Sequence, residues 1–283
     1  MLNALSVDVE DWFHVQAFSH IYPPSTWDEQ RTRILGNVIR TLEILDEYEA
    51  KATFFMLGWV AEKFPEVVLL IAERGHEIAS HSQYHRLVYN LDRDSFKRDL
   101  EKSIANIRAA ANVDVRGYRA PSFSIRPEMD WVWEVFSECG IEYDSSVFPI
   151  RHDTYGSPRS PRFAYRISPS EHISILEIPP STTRILGVNV PVAGGGYLRM
   201  FPYWFIRHSV RKLNRSGRAA MLYFHPWELD HHQKRIDAGT KSRVRHYTNL
   251  KAFDSKLRRL LSDFRFSTIE EVFLRHENTQ SIA

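Results

Sequence analysis

Short apolar runs that fit a buried strand alternate along this chain with longer stretches whose apolar residues recur every three or four positions. ALSVDVE (4–10) reads as a strand, and TWDEQRTRILGNVIRTLEILDEYE (26–49) as an amphipathic helix with Ile34, Leu35, Val38, Ile39, Leu42 and Leu45 on one face. KATFFMLG (51–58) follows as a strand, and WVAEKFPEVVLLIAERG (59–75) as a helix stopped by Gly75. HEIASHS (76–82) is a third strand, leading to a helix near 92–111. RGYRAPS (116–122) is a fourth, before a helix opening at Pro127, and EYDSS (142–146) is a short fifth. Alternation of this kind predicts right-handed βα units around a parallel sheet.

Between residues 150 and 200 the pattern blurs into prolines, a GGG run and short β-like pieces (FAYRIS, ISILEIP, ILGVNVPV). Order returns with a helix near 202–215, the strand AAMLYFHPW (219–227), a helix near 248–264 and a last strand, RFSTIEEV (265–272). No linker composition, internal repeat or low-complexity tract divides the chain. The expectation is one barrel-like domain over 1–283, with an insertion at 150–217 and a C-terminal helix and strand in 228–283 completing it.

Charge narrows the function classes. The 37 Lys and Arg nearly balance 35 Asp and Glu, and no basic run reaches five residues, so nucleic acid is not an expected partner. The clusters RHSVRKLNRSGR (207–218) and KSRVRH (241–246) read either as solvated faces or as a rim attracting an anionic or lipid-phosphate-linked substrate. The single cysteine, Cys139, excludes an intrachain disulfide and is expected to be a buried structural thiol. MLNALSVDVEDW has no basic leader region and no apolar run is long enough to span a bilayer, so a cytoplasmic protein is expected, with peripheral membrane contact still compatible.

The notable polar clusters all follow predicted strands, the edge on which α/β barrels assemble their sites. HSQYH (81–85) holds two imidazoles at i and i+4, which on one helical turn would share a face and grip one ion. Alone, that spacing more often belongs to two ordinary surface or core histidines. A carboxylate from SVDVED (6–11) would complete a two-His, one-acid set suited to a catalytic divalent metal. Strand alternation points Asp8 and Glu10 to one face. Glu10 is then the ligand, or Asp11 swings in from the strand end, and the other of the two is a cap or a solvated turn. Arg119 is a candidate partner for Asp8, and Asp144 a candidate orienting carboxylate for a general acid at His225. GGGYLRM (194–200) lacks a dinucleotide-loop context and reads as a turn, His231 and His232 as a surface turn.

The ordered set SVDVED, KATFF, GHEIASHSQYH, RAPSF, YDSS and LYFHPW resembles the polysaccharide deacetylases, the NodB-homology group or carbohydrate esterase family four, over roughly residues 4–150 and 218–228. The stretch VAGGGYLRMFPYW (192–204) resembles a subgroup from bacterial exopolysaccharide clusters that carry exosortase systems. The resemblance implies an α/β fold, a distorted (β/α)7 barrel with an elaborated C-terminal loop region, and metal-dependent removal of an acetyl group from an N-acetylated sugar. It implies that Asp8 is the base, His81 and His85 metal ligands, Arg119 the residue holding the base, His225 the catalytic histidine and Asp144 the acid tuning it. Pro121 and Phe123 fall on the groove wall, and Tyr223 and Trp227 join them as substrate-binding candidates. Two departures stand out. Val9 occupies the place of a second aspartate, which leaves Glu10 or Asp11 as the metal acid. Tyr223 replaces a leucine beside the acetyl pocket. One divalent ion is expected, zinc first, with cobalt and nickel tolerated by the same ligands. The partner is an N-acetylated glycan or lipid-linked sugar in exopolysaccharide biosynthesis. The rival readings are an allantoinase-like cyclic-amide hydrolase on the same barrel and a non-catalytic sugar-binding scaffold.

Overall fold

The structure, a computed structural model, describes residues 1–275; the last eight positions of the 228–283 segment lie outside the described residues. Strand β1 (Leu2–Val9) is followed by α1 (Ile34–Glu47), β2 (Thr53–Met56), α2 (Gly58–Lys63), α3 (Pro65–Glu73) and β3 (Glu77–Ser80). Next come α4 (Arg93–Ala111), β4 (Gly117–Tyr118), α5 (Asp130–Glu138) and β5 (Tyr143–Asp144). Four strands succeed one another as β6 (Tyr165–Ser170), β7 (Ile173–Glu177), β8 (Thr182–Ile185) and β9 (Val188–Pro191). Helices α6 (Gly196–Met200) and α7 (Tyr203–Arg215) lead to β10 (Met221–Phe224), then α8 (Thr240–Tyr247), α9 (Leu250–Asp263) and β11 (Arg265–Ser267).

The main sheet runs β10-β1-β2-β3-β4-β5-β7-β6, with β11 beside the start of β1. All pairings are parallel except that of β6 with β7. Irregular backbone fills the gap between β7 and β10. Ile178 N–H donates to Asp144 O (2.8 Å), Ser181 N–H to Met221 O (3.0 Å) and Tyr223 N–H to Ala193 O (2.9 Å). The proline- and glycine-rich stretch thus covers the free edge of β10 and completes an α/β barrel-like fold. Gly194 allows the approach, since a Cβ there would lie 1.9 Å from Tyr223 O.

Alternation along β1 sorts its side chains into two environments. Leu5, Val7 and Val9 enter the apolar layer shared with the helices, whereas Ala4 packs with Phe55, Ala79, Tyr143, Leu176 and Met221 in a second cluster. Ser6 and Asp8 continue the Ala4 face and meet Arg119. A carboxylate in a buried strand therefore projects among polar partners instead of into the helix layer.

Several helices differ from expectation for local reasons. The first begins only at Ile34, because residues 24–29 form a 3-10 turn opened by Pro24. The expected 59–75 helix breaks into α2 and α3 at Pro65, which has no N–H to continue the ladder. Cys139 is half-buried at the C-cap of α5 instead of fully buried, and burial pushes its thiol up to about 11.

Candidate active site

The C-terminal ends of β1, β3, β4 and β10 open into a cleft of about 650 Å³, lined by Asp8, Glu10, His81, His85, Phe123, Tyr223, His225 and Trp227 among others. Sequence-distant side chains converge here because they lie at, or a few residues beyond, the C-terminal ends of parallel strands.

HSQYH is not helical. Ser82 and His85 adopt left-handed φ values of 64° and 53°, and His85 N–H donates to Ser82 Oγ at 2.9 Å. Gln83 N–H donates to Asp99 Oδ2 (2.7 Å), tying the loop to α4. This turn, not a helical face, brings Nε2 of both His81 and His85 to 3.0 Å from Glu10 Oε1. Burial alone would raise Glu10, but His85, His225 and His81 overcome it and hold its carboxyl well below the usual range. Among the described residues, this trio is the one acid–histidine cluster whose ligand atoms converge within 4.8 Å.

The donor chemistry of the trio fits a cation. His81 Nδ1 donates to Arg119 O at 2.8 Å, so a His81 ring carrying that single N–H presents the Nε2 lone pair toward Glu10 Oε1. Two acceptors at that separation call for a positive centre between them. Glu10, not Asp11, occupies the acid position. Asp11 is fully buried elsewhere, accepting from Trp12 N–H (2.8 Å), Thr32 Oγ1 (2.7 Å) and Arg33 N–H (2.6 Å) at the start of α1. Burial raises its carboxyl, and these bonds oppose the rise.

Beside the trio, Arg119 is fully buried and donates through Nη1 to Asp8 Oδ1 (2.5 Å) and Ser6 Oγ (2.9 Å). Nε and Nη2 donate to Ser145 O and Oγ, and the guanidinium lies 4.0 Å from the Phe55 ring centroid. Every face of the cation is thus occupied, and Asp8 is fixed in position. Asp8 Oδ2 and Glu10 Oε1 each lie 3.9 Å from His225 Nε2.

The expectation that Asp144 orients His225 is corrected. His225 Nδ1 lies 3.1 Å from Glu228 Oε2, which also accepts the His225 backbone N–H at 2.9 Å. A carboxylate only accepts, so Nδ1 carries the proton. Glu228 sits three residues on because PWEL forms a 3-10 turn capped reciprocally by His225 and Glu228. Glu228 Oε1 in turn accepts from Arg199 Nε (2.6 Å), whose remaining nitrogens donate to the carbonyls of Arg245, His246 and Thr248. Asp144 instead bonds Ser146 and shares a buried contact with Glu177, and burial pushes it up to about 6. Burial opposes a charged His225, but Glu10, Glu228 and Asp8 overcome it and lift the imidazole to about 9. Burial likewise opposes a charged Glu228, yet Arg199 and His225 bring it down to about 2.

Phe123 and Tyr223 meet edge to face at 5.3 Å on the cleft wall, and Trp227 stacks on His225. Pro121 is buried behind the wall and opens the 3-10 turn that carries Ser122 and Phe123. Sequence reasoning missed Glu228 and Arg199. The His-x-x-Glu spacing of a reciprocal cap was the available signal for the first, while Arg199 lies inside the GGGYLRM stretch read as a turn.

Residues 25–143 match the polysaccharide deacetylase family, and residues 145–274 match a domain of unknown function, DUF3473. A peptidoglycan-N-acetylglucosamine deacetylase of Bacillus cereus is 38% identical over 88 residues, 31% of this chain and 30% of that protein. A chitooligosaccharide deacetylase of Sinorhizobium fredii is 32% identical over 81 residues, 28% of this chain and 38% of the relative. The chain thus spans well under half the length of these relatives. Among solved structures, a Mycobacterium smegmatis chain assigned to the polysaccharide deacetylases superimposes with a TM-score of 0.64 at 21% identity, covering 98% of this chain and 90% of that one. A CE4 family pseudoenzyme of Bacillus anthracis gives 0.53 at 17% identity, covering 96% and 64%. Since a pseudoenzyme shares the fold, the fold alone does not decide activity. Residues 25–143 thus match the polysaccharide deacetylase family, and the barrel around them shares the fold of the Mycobacterium smegmatis structure.

Proposed function

We propose that this chain hydrolyses the N-acetyl group of an N-acetylated amino sugar, presented in a polysaccharide, an oligosaccharide or a lipid-linked precursor of exopolysaccharide synthesis. The observation carrying this reading is the meeting, in one cleft, of the Glu10–His81–His85 trio, Asp8 held by Arg119, and His225 held by Glu228. A divalent cation on the trio, zinc in the first instance, would supply Lewis-acid activation of water and of the acetamide carbonyl. Asp8 removes the proton of the water that attacks the carbonyl carbon. His225, protonated at Nε2, gives its proton to the amide nitrogen as the C–N bond breaks, and acetate and a free amine leave. Glu228 holds the ring for that transfer. A cyclic-amide hydrolase or a scaffold has no need of this complete set.

Metal content per purified chain, measured alongside acetate release from N-acetylglucosamine oligomers, tests the reading. About one equivalent of metal with chelator-sensitive release, both lost in His81→Ala, is the expected result. A chain that binds no metal after reconstitution would overturn the reading.

A further inference from the structure

From residue 178 to residue 227 the chain holds no Asp or Glu, where its average of 35 acids in 283 residues would put about six. The same fifty positions carry Arg184, Arg199, Arg207, Arg211, Lys212, Arg215 and Arg218. Arg199 is buried against Glu228 and Arg207 pairs with Asp263, but among the described residues Arg211, Lys212 and Arg215 form no salt bridge. On α7, Trp204, His208, Arg211 and Arg215 recur at i, i+4, i+7 and i+11 and are all exposed, so they make one solvent-facing stripe.

Helix α7 packs against β8 of the β8–β9 hairpin. Ile185 pairs with Val188 across a two-residue turn, Leu186–Gly187, in which both φ values are positive (47° and 81°). Such a turn favours Asn-Gly or Asp-Gly. Here a leucine takes the strained first place and is 99% exposed, with Val188 59% and Ile185 43% exposed beside it. Trp204 is 67% exposed at the head of the cationic stripe. Four residues earlier, Met200 at the end of α6 lines the cleft. An aliphatic tip presented at a conformational cost, an exposed tryptophan and a cationic row without salt bridges among the described residues together fit an interface with one apolar and one anionic layer.

We propose that the β8–β9 hairpin tip and the exposed stripe of α7 form a peripheral docking surface for an anionic lipid bilayer. The aliphatic tip enters the acyl boundary, Trp204 sits at headgroup level, and Arg211, Lys212 and Arg215 face the lipid charge. A nucleic acid would use the cations but has no place for the tip. The inference stands apart from the chemistry of the cleft, and its test uses no substrate.

The full chain is sedimented with phosphatidylcholine vesicles, with and without phosphatidylglycerol, at low and raised salt. Binding is expected only with phosphatidylglycerol and weakens with salt. Arg211→Gln with Arg215→Gln should lower partitioning about thirty-fold. Leu186→Asn should lower it about ten-fold, and because Asn suits the turn better than Leu, its melting temperature should not fall. Absence of vesicle binding would overturn the proposal. So would equal binding by Leu186→Asn together with retention on heparin or duplex DNA, which would mark a polyanion surface. Concentration-dependent dimerisation abolished by Leu186→Asn, without vesicle binding, would assign the tip to a second copy of the chain and overturn it too.

Discussion

Replacing Glu228 by glutamine changes almost no volume yet breaks a buried network on both sides. Oε2 accepts two N–H groups from His225 and Oε1 accepts from Arg199, while Glu228 itself is fully buried. A glutamine has one acceptor oxygen, so its NH2 must face either Arg199 or the two His225 donors. Either orientation leaves donors opposed in a dry site, and Arg199 loses its counter-charge. Breaking a buried ion pair from one side costs about 3–5 kcal/mol. At roughly 2–4 °C per kcal/mol for a large domain, melting should fall by about 10 °C. Glu228 does not line the cleft, so KM should stay near its original value. Release of the orienting bond should lower kcat by about a hundred-fold, within the range general acid catalysis supplies. Acetate release under saturating substrate and calorimetry on the same preparation give both quantities. If Glu228→Gln kept kcat within two-fold and Asp144→Asn abolished it, the orienting role would belong to Asp144 and not to Glu228.

Added divalent metal should raise the melting temperature of the parent chain, by the equivalent of about 2.7 kcal/mol at a hundred times Kd. Glu10→Gln should erase that shift, whereas Asp11→Asn should lower stability and leave the metal response intact; calorimetry with and without metal separates the two acids. Arg119→Met strands Asp8 in a buried site and should cost about 3–5 kcal/mol. Denaturant titration of the Arg119→Met, Asp8→Asn double variant should recover part of that loss, since the two side chains act as one unit. Burial depresses His76 and His246 from 6.5 to about 3, so below pH 6.5 the unfolded chain takes up protons that the folded chain refuses. Stability contributed by each is therefore complete above about pH 6.5 and falls by about 1.4 kcal/mol per pH unit on acidification toward pH 3. Denaturation midpoints at pH 7 and pH 5.5 should show this slope, and His76→Gln should remove one group's share of it.

The legible parts of the site are those where short-range rules suffice. Alternation in β1 was enough to send Asp8 and Glu10 one way and Val9 the other, and the ends of parallel strands marked where side chains would gather. The HxxxH spacing picks out the two imidazoles that meet Glu10, but they meet through a loop and not the helical turn it suggests. A helical turn and a loop with left-handed Ser82 and His85 can both bring i and i+4 together, and only the surrounding bonds from Asp99 and Met56 decide between them. Asp144 was misjudged because a strand-end acid and a strand-end histidine give no clue to their mutual distance. The hydrogen-bond partner lies three residues from His225, just past a segment read as a strand that turns into a 3-10 helix at Pro226. Arg199 was hidden for another reason. Its neighbours are short, glycine-rich and held by distant backbone, so no local period reveals where they go.

The two matched segments meet between residues 143 and 145, yet the chemistry does not divide there. Glu10, His81, His85 and Arg119 precede that boundary, whereas His225, Glu228 and Arg199 follow it. Strand β10 pairs with β1 through Ala4 to Val7, the residues leading directly to Asp8, and the backbone of 178–195 then covers the outer edge of β10. Arg119, on the earlier side, reaches across the barrel toward Met221 and the carbonyl of Ser145 on the later one. Asp8 and the Glu10–His81–His85 trio thus stand beside a strand the second segment supplies, and His225 is held by a network lying wholly within that segment. On the proposed function, a barrel whose closing strand leads into the proton donor couples folding to catalysis: whatever loosens the edge at β10 also moves His225 relative to Asp8. The domain of unknown function supplies, in this chain, the other half of the candidate site.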